Sequence, residues 1–132
     1  MGNYAPAIIL LEILTKVLYT DKEEGSVKML EKKEAREIAN RYTDKVLQFY
    51  QPKQIIIFGS YVDGSPHAES DIDIAVIFDN MEGDWLETWS QLIGLREGIS
   101  FDIETHMLDE TCNRSGFLDH IRNTGEVIYQ SA

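Results

Sequence analysis

The stretch FGSYVDGSPHAESDIDIAV (residues 58–76) places a Gly-Ser pair at the end of one apolar run and two aspartates inside the next. Ten residues separate Ser60 from Asp71. The runs at 53–58 and 71–78 are short and rich in β-branched residues, so both are predicted to be strands. Because side chains two residues apart on a strand leave the same face, we expect Asp71 and Asp73 to lie side by side.

Two neighbouring carboxylates repel each other, and burying them without a partner is costly. A cation between them removes that cost, and oxygen ligands at this spacing suit Mg²⁺, which binds one or two carboxylates together with substrate phosphates. Gly59 would let a phosphate approach the backbone closely. Ser60, at the start of a helical turn, would offer an N–H group and a hydroxyl. The alternative is that Asp71 and Asp73 form a cap or salt bridges at a strand edge.

A third carboxylate is predicted from the alternating segment at 99–108, where Asp102, Glu104 and His106 share one face. Two-metal chemistry usually needs a further carboxylate to hold the second ion and activate the attacking oxygen. Asp102 is our first choice for this third carboxylate and Glu104 is the reserve. Both lie on a predicted strand that could lie beside the strand at 71–78. The alternative is a solvated strand face. His106 is interpreted as a hydrogen-bonded surface residue rather than a base.

The remaining patterns predict an α/β (α+β) domain in which helices flank a small mixed β-sheet around one core. Amphipathic or apolar periodicity predicts helices at 31–51, 85–97 and 112–123, and the chain is predicted to end in a short strand or edge segment at 126–130. An apolar stripe at 6–20 predicts one more helix. We therefore divide the chain into an N-terminal helix and linker (1–28) and a main domain (29–132).

The composition limits the partners and the cellular setting. The 132-residue chain has 12 Lys and Arg against 23 Asp and Glu, a formal net charge of −11, so non-specific binding to nucleic acid or anionic lipid is not expected. Cys112 is the single cysteine, predicted to be a partly buried filler, and a reduced, cytoplasmic setting fits. Glu12 and Lys16 interrupt the apolar segment at 6–20, which is also too short to span a membrane. Trp85 and Trp89 are predicted in the core or at an interface.

The stretch GSYVDGSPHAESDIDIAV resembles the signature of the DNA polymerase β-like nucleotidyltransferases: Gly-Ser, ten residues, then Asp-x-Asp. The length and the element order resemble the minimal nucleotidyltransferases over roughly residues 30–129. The resemblance implies a polymerase β-like nucleotidyltransferase fold. It also implies that Gly59 and Ser60 contact the triphosphate. The residues that it implies as ligands of Mg²⁺ are Asp71, Asp73 and Asp102.

The family's reaction is attack by an acceptor hydroxyl on the α-phosphorus of a nucleoside triphosphate, here expected to be ATP, with release of pyrophosphate. Minimal members are often encoded with a HEPN-domain partner and act as antitoxins, some by adding AMP to a tyrosine of that partner. No second, substrate-binding domain is evident, so the acceptor is expected on a partner or a second copy, in a homodimer or hetero-oligomer. The alternative is a non-catalytic binding module. It is favoured by the stretch Tyr61–Asp63, where many family members carry Arg or Lys.

Overall fold

In the computed structural model of the protein, residues 32–63 and 71–132 are described. The helix predicted at 6–20, the proposed boundary after residue 28 and the loop residues 64–70 lie outside this part. The described elements, in chain order, are α1 (Lys32–Leu47), β1 (Gln54–Phe58), α2 (Ser60–Asp63), β2 (Ile72–Phe78), α3 (Trp85–Gly94), β3 (Ile103–Asp109), a 3₁₀ turn (Glu110–Cys112), α4 (Phe117–Thr124) and β4 (Glu126–Gln130).

The four described strands form one mixed sheet in the order β3-β2-β1-β4. Strand β1 runs antiparallel to both β2 and β4, whereas β2 and β3 are parallel. A parallel pair cannot be joined by a tight hairpin, and the chain between β2 and β3 crosses over through α3. This arrangement confirms the predicted α/β class, and it confirms that the segment after α3 lies beside β2.

One face of the sheet carries the larger core. Alternate residues of β2 point to this face and are fully buried or nearly so, because helices α1 and α3 pack over them. The apolar residues of α1 recur every three or four positions, as expected for a helix with one buried face. The main side chains of this core are Ala35, Ala39, Tyr42, Val46, Ile55, Ile57, Ile72, Ile74, Val76, Leu92, Ile103 and Met107.

On the opposite face, the described residues outside the sheet cover only part of its length. Leu118 and Ile121 of α4 pack on Ile56, Ala75 and Ile77. Asp73 lies on the same face as Ala75, two residues nearer the start of β2, and is only partly buried. A polar rim of the sheet therefore remains next to the apolar patch beneath α4.

Tyr42 connects three elements through its hydroxyl. The hydroxyl donates to the Leu92 carbonyl (2.7 Å) and lies 2.9 Å from the Thr105 hydroxyl, so that α1, α3 and β3 meet at one buried oxygen. Burial raises the pKa of Tyr42 to about 12, which keeps the group neutral. Because neutral hydroxyls both donate and accept, each of the three polar groups obtains a partner inside the core.

Two predicted helices end earlier than expected. The helix predicted at 31–51 ends at Leu47, and the helix predicted at 85–97 ends at Gly94. In both cases the chain closes with tighter i to i−3 hydrogen bonds, such as Phe49 N–H to the Val46 carbonyl at 3.0 Å and Arg96 N–H to the Ile93 carbonyl at 3.2 Å. Pro52 also disfavours helical geometry for the residue before it.

The strand predicted at 99–108 is shorter at its start and covers Ile103–Asp109. The N–H groups of Ile99 and Ser100 bond to the Arg96 carbonyl (3.0 and 3.1 Å), so these residues belong to the turn after α3. The predicted alternation is confirmed inside the strand, where Ile103, Thr105 and Met107 are buried.

The helix predicted at 112–123 was wrong at its beginning. Residues 110–112 form a 3₁₀ turn that is capped by the Asp109 side chain, and α4 begins only at Phe117, after Gly116 with a φ of 77°. Left-handed backbone of this kind interrupts a helix and favours glycine. Cys112 is exposed, so the prediction of a partly buried filler was also wrong.

Trp85 and Trp89 do not belong to the core. Their side chains are 43% and 38% exposed, and Leu86 between them is 67% exposed. The predicted interface role of the two tryptophans stays a prediction. Within residues 32–63 and 71–132, none of the helices has the length and apolar character needed to cross a membrane.

We predict that Tyr42→Phe lowers the free energy of unfolding by about 1–3 kcal/mol, because the Leu92 carbonyl and the Thr105 hydroxyl lose a buried partner. Chemical denaturation of the variant and the wild type measures this directly. Tyr129→Phe, in the half-buried outer strand β4, is the matched control and should change stability by less than about 0.5 kcal/mol. Equal stabilities for Tyr42→Phe and wild type would contradict the role of this hydroxyl.

Candidate active site

The parallel pairing of β2 and β3 brings acidic side chains together. In the observed register Asp73 lies opposite Glu104, and Ala75 lies opposite His106. Residues opposite each other in neighbouring strands project from the same face, so these side chains share the face that α4 covers in part. The side chains of Asp73, Glu104 and His106 therefore meet at the uncovered rim.

The three side chains form a compact group of possible ligands. One carboxylate oxygen from each acid and one ring nitrogen of His106 all lie within 4.8 Å of one another. His106 Nε2 is 3.1 Å from Asp73 Oδ1, and both side chains are about one quarter exposed. Within the part of the chain that the structure describes, this is the only group of three or more His, Cys, Asp or Glu side chains close enough to hold one metal ion.

Two phenylalanine rings support His106 from the apolar side. Its ring centroid lies 5.0 Å from that of Phe58 and 6.1 Å from that of Phe117, with both pairs edge to face. Phe58 and Phe117 also contact each other, with centroids 5.9 Å apart. Edge-to-face contacts are favourable for aromatic rings. The imidazole is thus held between the end of β1 and the start of α4.

Gly59 brings the end of β1 against the carboxylate group. Its φ is 82°, and a Cβ at this position would lie 3.2 Å from Asp73 Cγ and even closer to Asp73 Oδ2. Phe58, the residue before it, lies opposite Asp73 in the antiparallel pair of β1 and β2. The glycine therefore meets two needs, because it adopts left-handed backbone and leaves room for the carboxylate. Ser60 follows directly as the first residue of α2.

The predicted site residues are distributed unequally around this group. Asp73 belongs to it. Asp71 lies just before β2, near enough for its charge to act on Glu104. The Asp102 side chain is exposed and is not among the three grouped side chains, while the Asp102 carbonyl accepts a hydrogen bond from Ile72 N–H at 2.7 Å. The choice between Asp102 and the reserve residue Glu104 stays a prediction.

His106 is the residue whose position sequence reasoning undervalued. It was interpreted as a hydrogen-bonded surface residue, and it does have a hydrogen-bond partner, but that partner is the carboxylate of Asp73. The available signal was the alternation of the strand, which puts His106 on the face of Glu104. What the sequence lacked was the register between β2 and β3.

The family model for the polymerase beta nucleotidyltransferases matches residues 28–132. The chain belongs to this family. No curated protein matches the chain significantly. Membership of the chain in this family supports nucleotidyl transfer as the general class of activity. It also agrees with the resemblance and the fold class predicted from the sequence.

Two solved structures are similar to this nucleotidyltransferase. The first is a protein from Sulfolobus solfataricus described as a nucleotidyltransferase, with a TM-score of 0.54 and 21% identity over 71% of this chain and 78% of that one. The second is a toxin-antitoxin structure with AMP-PNP, with a TM-score of 0.52 and 26% identity over 70% of this chain and 73% of that one.

The electrostatics of the nucleotidyltransferase site favour a bound cation. Partial burial, the hydrogen bond with Asp73 and the charges of Asp73 and Asp71 raise the pKa of Glu104 above its ordinary value, and His106 acts in the opposite direction. A raised carboxyl pKa means that the environment of the carboxyl group disfavours its ionised form. Two crowded carboxylates with an adjacent imidazole therefore fit a divalent metal ion, which would stabilise the ionised form.

We predict that Gly59→Ala weakens Mg²⁺-dependent nucleotide binding at least about tenfold, because its Cβ displaces the Asp73 carboxylate. Gly98→Ala is the matched control, since Gly98 also has a φ of 82° but nothing lies within 4 Å of its added Cβ. Both variants should lose about 1–2 kcal/mol of stability from the left-handed backbone. Calorimetric titration with Mg-ATP separates them, and equal affinities would show that the contact with Asp73 is unimportant.

We predict that Glu104→Gln stabilises the metal-free protein at pH 7, by no more than about 1 kcal/mol because the group is largely exposed. A carboxyl whose folded-state pKa is raised adds stability below its unfolded pKa and loses it as the pH rises through the folded value. The gain should therefore disappear towards pH 4.

Saturating Mg²⁺ should reverse the order at pH 7, since it stabilises only the protein that binds it well. Thermal melts at several pH values, with and without Mg²⁺, test both statements. Glu82→Gln, at an exposed site, is the control and should show neither effect. A Glu104→Gln variant that gains as much from Mg²⁺ as the wild type would remove Glu104 from the metal site.

Proposed function

We propose that the protein is a Mg²⁺-dependent nucleotidyltransferase that transfers AMP from ATP to a hydroxyl group of a protein partner. The observation that carries this proposal is the meeting of Gly59, Asp73 and Glu104 at one rim of the sheet. A glycine that leaves the backbone open to a phosphate, beside two carboxylates that can hold Mg²⁺, fits a metal-bound polyphosphate.

Each residue has a distinct part in the proposed reaction. Gly59 allows the triphosphate to approach the backbone, and Ser60 offers its N–H and hydroxyl to a phosphate oxygen. Asp71, Asp73 and a third carboxylate, Asp102 or Glu104, would hold Mg²⁺. When bound, this metal supplies charge neutralisation at the triphosphate and favours ionisation of the attacking hydroxyl.

The bond changes of the transfer are balanced without any further reactant. The acceptor oxygen forms a bond to the α-phosphorus of ATP, the bond from that phosphorus to the bridging oxygen breaks, and pyrophosphate leaves with the electron pair. The hydroxyl proton passes to a carboxylate at the site.

A protein acceptor is supported by an apolar surface beside the site. A cavity of about 320 Å³ is lined by side chains that include Trp85, Met107, Leu108 and Phe117. Phe117 also contacts His106, so the cavity borders the carboxylate group. Exposed aromatic side chains around a cavity are typical of protein-binding surfaces, and the net charge of −11 favours a basic partner.

The choice of partner and of nucleotide in this proposal is supported by a relative of known structure. A toxin-antitoxin structure with AMP-PNP is among the similar structures. Together with the resemblance to the minimal nucleotidyltransferases, this supports ATP as the donor and a HEPN-domain protein as the acceptor. The chain would then act as the antitoxin of the pair, in the cytoplasm.

The second candidate function is a non-catalytic module that neutralises the same partner by contact. It is favoured by the start of α2, where many family members have a base but this chain has Tyr61. The Tyr61 side chain is 3% exposed and packs in the core, so this position serves folding rather than phosphate binding.

The direct test incubates the protein with Mg²⁺, ATP and the product of the adjacent gene. With ATP labelled at the α-phosphate we expect label on the partner and a mass increase of one AMP. With ATP labelled at the γ-phosphate we expect none. Asp73→Asn should lower the rate at least about a hundredfold, because a ligand of the metal is lost. A stable complex without transfer would support the binding module and contradict the enzyme.

A further inference from the structure

We propose that His106 is a direct metal ligand and that its nitrogen makes the site prefer Mn²⁺ to Mg²⁺. This rests on the metal site of the proposed function but goes beyond it, because that site was assigned from carboxylates alone. The signature of Gly-Ser and Asp-x-Asp specifies no histidine, and the position of His106 beside Asp73 follows only from the register of β2 and β3.

The first argument is geometric. His106 Nε2 lies 3.1 Å from Asp73 Oδ1, and the group of donor atoms that also includes Glu104 fits within 4.8 Å. Ligands of one first-row metal ion lie about 2.0–2.2 Å from it, so donor atoms about 3–4 Å apart can share an ion.

The second argument is preorganisation. Ala75 lies opposite His106 in the ladder, and its small side chain leaves room for the imidazole above the sheet. Phe58 and Phe117 contact the ring at its apolar side. Because the ring is already confined before a metal arrives, little side-chain entropy remains to be lost on coordination.

The third argument is chemical. Mg²⁺ is a hard ion that prefers oxygen ligands and keeps several waters. Carboxylates suit both Mg²⁺ and Mn²⁺, whereas imidazole is a ligand typical of transition metals. Replacing one oxygen ligand by a histidine nitrogen therefore favours Mn²⁺, and two carboxylates keep the site suitable for an ion of that hardness.

The competing explanation uses the same distance. His106 could donate a hydrogen bond to Asp73 and orient it without touching the metal, as outer partners of metal ligands often do. Glutamine can replace such a donor with its amide group, but it cannot supply an imidazole nitrogen to the metal. The two explanations therefore differ in the nuclei that are coupled to a bound paramagnetic ion.

The experiment uses the full chain without a histidine tag and Mn²⁺ alone as the probe. Electron spin-echo envelope modulation detects nitrogen bound directly to Mn²⁺, and titrations followed by electron paramagnetic resonance, with Mg²⁺ as competitor, give both affinities. We compare wild type, His106→Gln and, as the matched control, His120→Gln on the exposed surface of α4.

We expect strong imidazole nitrogen coupling in the wild type and in His120→Gln, and none in His106→Gln. The Mn²⁺ affinity of His106→Gln should fall about tenfold or more, while its Mg²⁺ affinity changes less than about threefold. The chain has three histidines, so the double variant His67→Gln/His120→Gln retains His106 alone. Coupling in that protein assigns the nitrogen even if His106→Gln does not fold.

Bound Mn²⁺ without nitrogen coupling in the wild type, or coupling that survives in His106→Gln, would overturn the assignment. An unchanged ratio of Mn²⁺ to Mg²⁺ affinity in His106→Gln would overturn the claimed preference. These results are separable from the proposed function. Mn²⁺ held by oxygen alone leaves AMP transfer possible, whereas nitrogen coupling in a protein that transfers no AMP removes the enzyme but keeps the ligand.

Discussion

The candidate site depends on the in-register pairing of Asp73 and Glu104 across two parallel strands. Partial burial, together with the hydrogen bond and charge of Asp73, raises the pKa of Glu104, and this works against folding at neutral pH. The opposite face of the same strands offsets this, because Ile72, Ile74 and Ile103 are buried there. Each strand thus stabilises the domain with one set of residues and presents charge with the alternate set.

The two faces of the sheet are covered to different extents. Helices α1 and α3 cover one face, and Tyr42 connects both to β3 through a single buried hydroxyl. Helix α4 has eight residues and covers only part of the other face. The uncovered part begins where Phe117 and Phe58 contact His106. Polar chemistry is therefore confined to a rim whose position is determined by the length and start of α4.

The fold class was predictable because it depends on patterns within short segments. Alternation in 99–108 correctly identified the buried side chains Ile103, Thr105 and Met107, and it placed Glu104 and His106 together on the other side. Helix ends were predicted less well, since they depend on competing backbone hydrogen bonds, as at Ile99 and Ser100. The break before Phe117 required the left-handed conformation of Gly116, which a periodicity argument does not detect.

The sequence predicted which residue types form the candidate site but not which of them are in contact. A register error of two residues changes which carboxylates lie opposite each other. A pairing shifted by that amount would bring Asp102, rather than Glu104, opposite Asp73. The observed pairing puts Glu104 inside the ladder, where the backbone positions it, and leaves Asp102 at the entry, next to the turn after α3. Glutamate is also one methylene longer than aspartate, so it reaches across the strand gap to Asp73. A residue fixed in the ladder loses little freedom on binding a cation, whereas one at the entry must be ordered by the ligand itself.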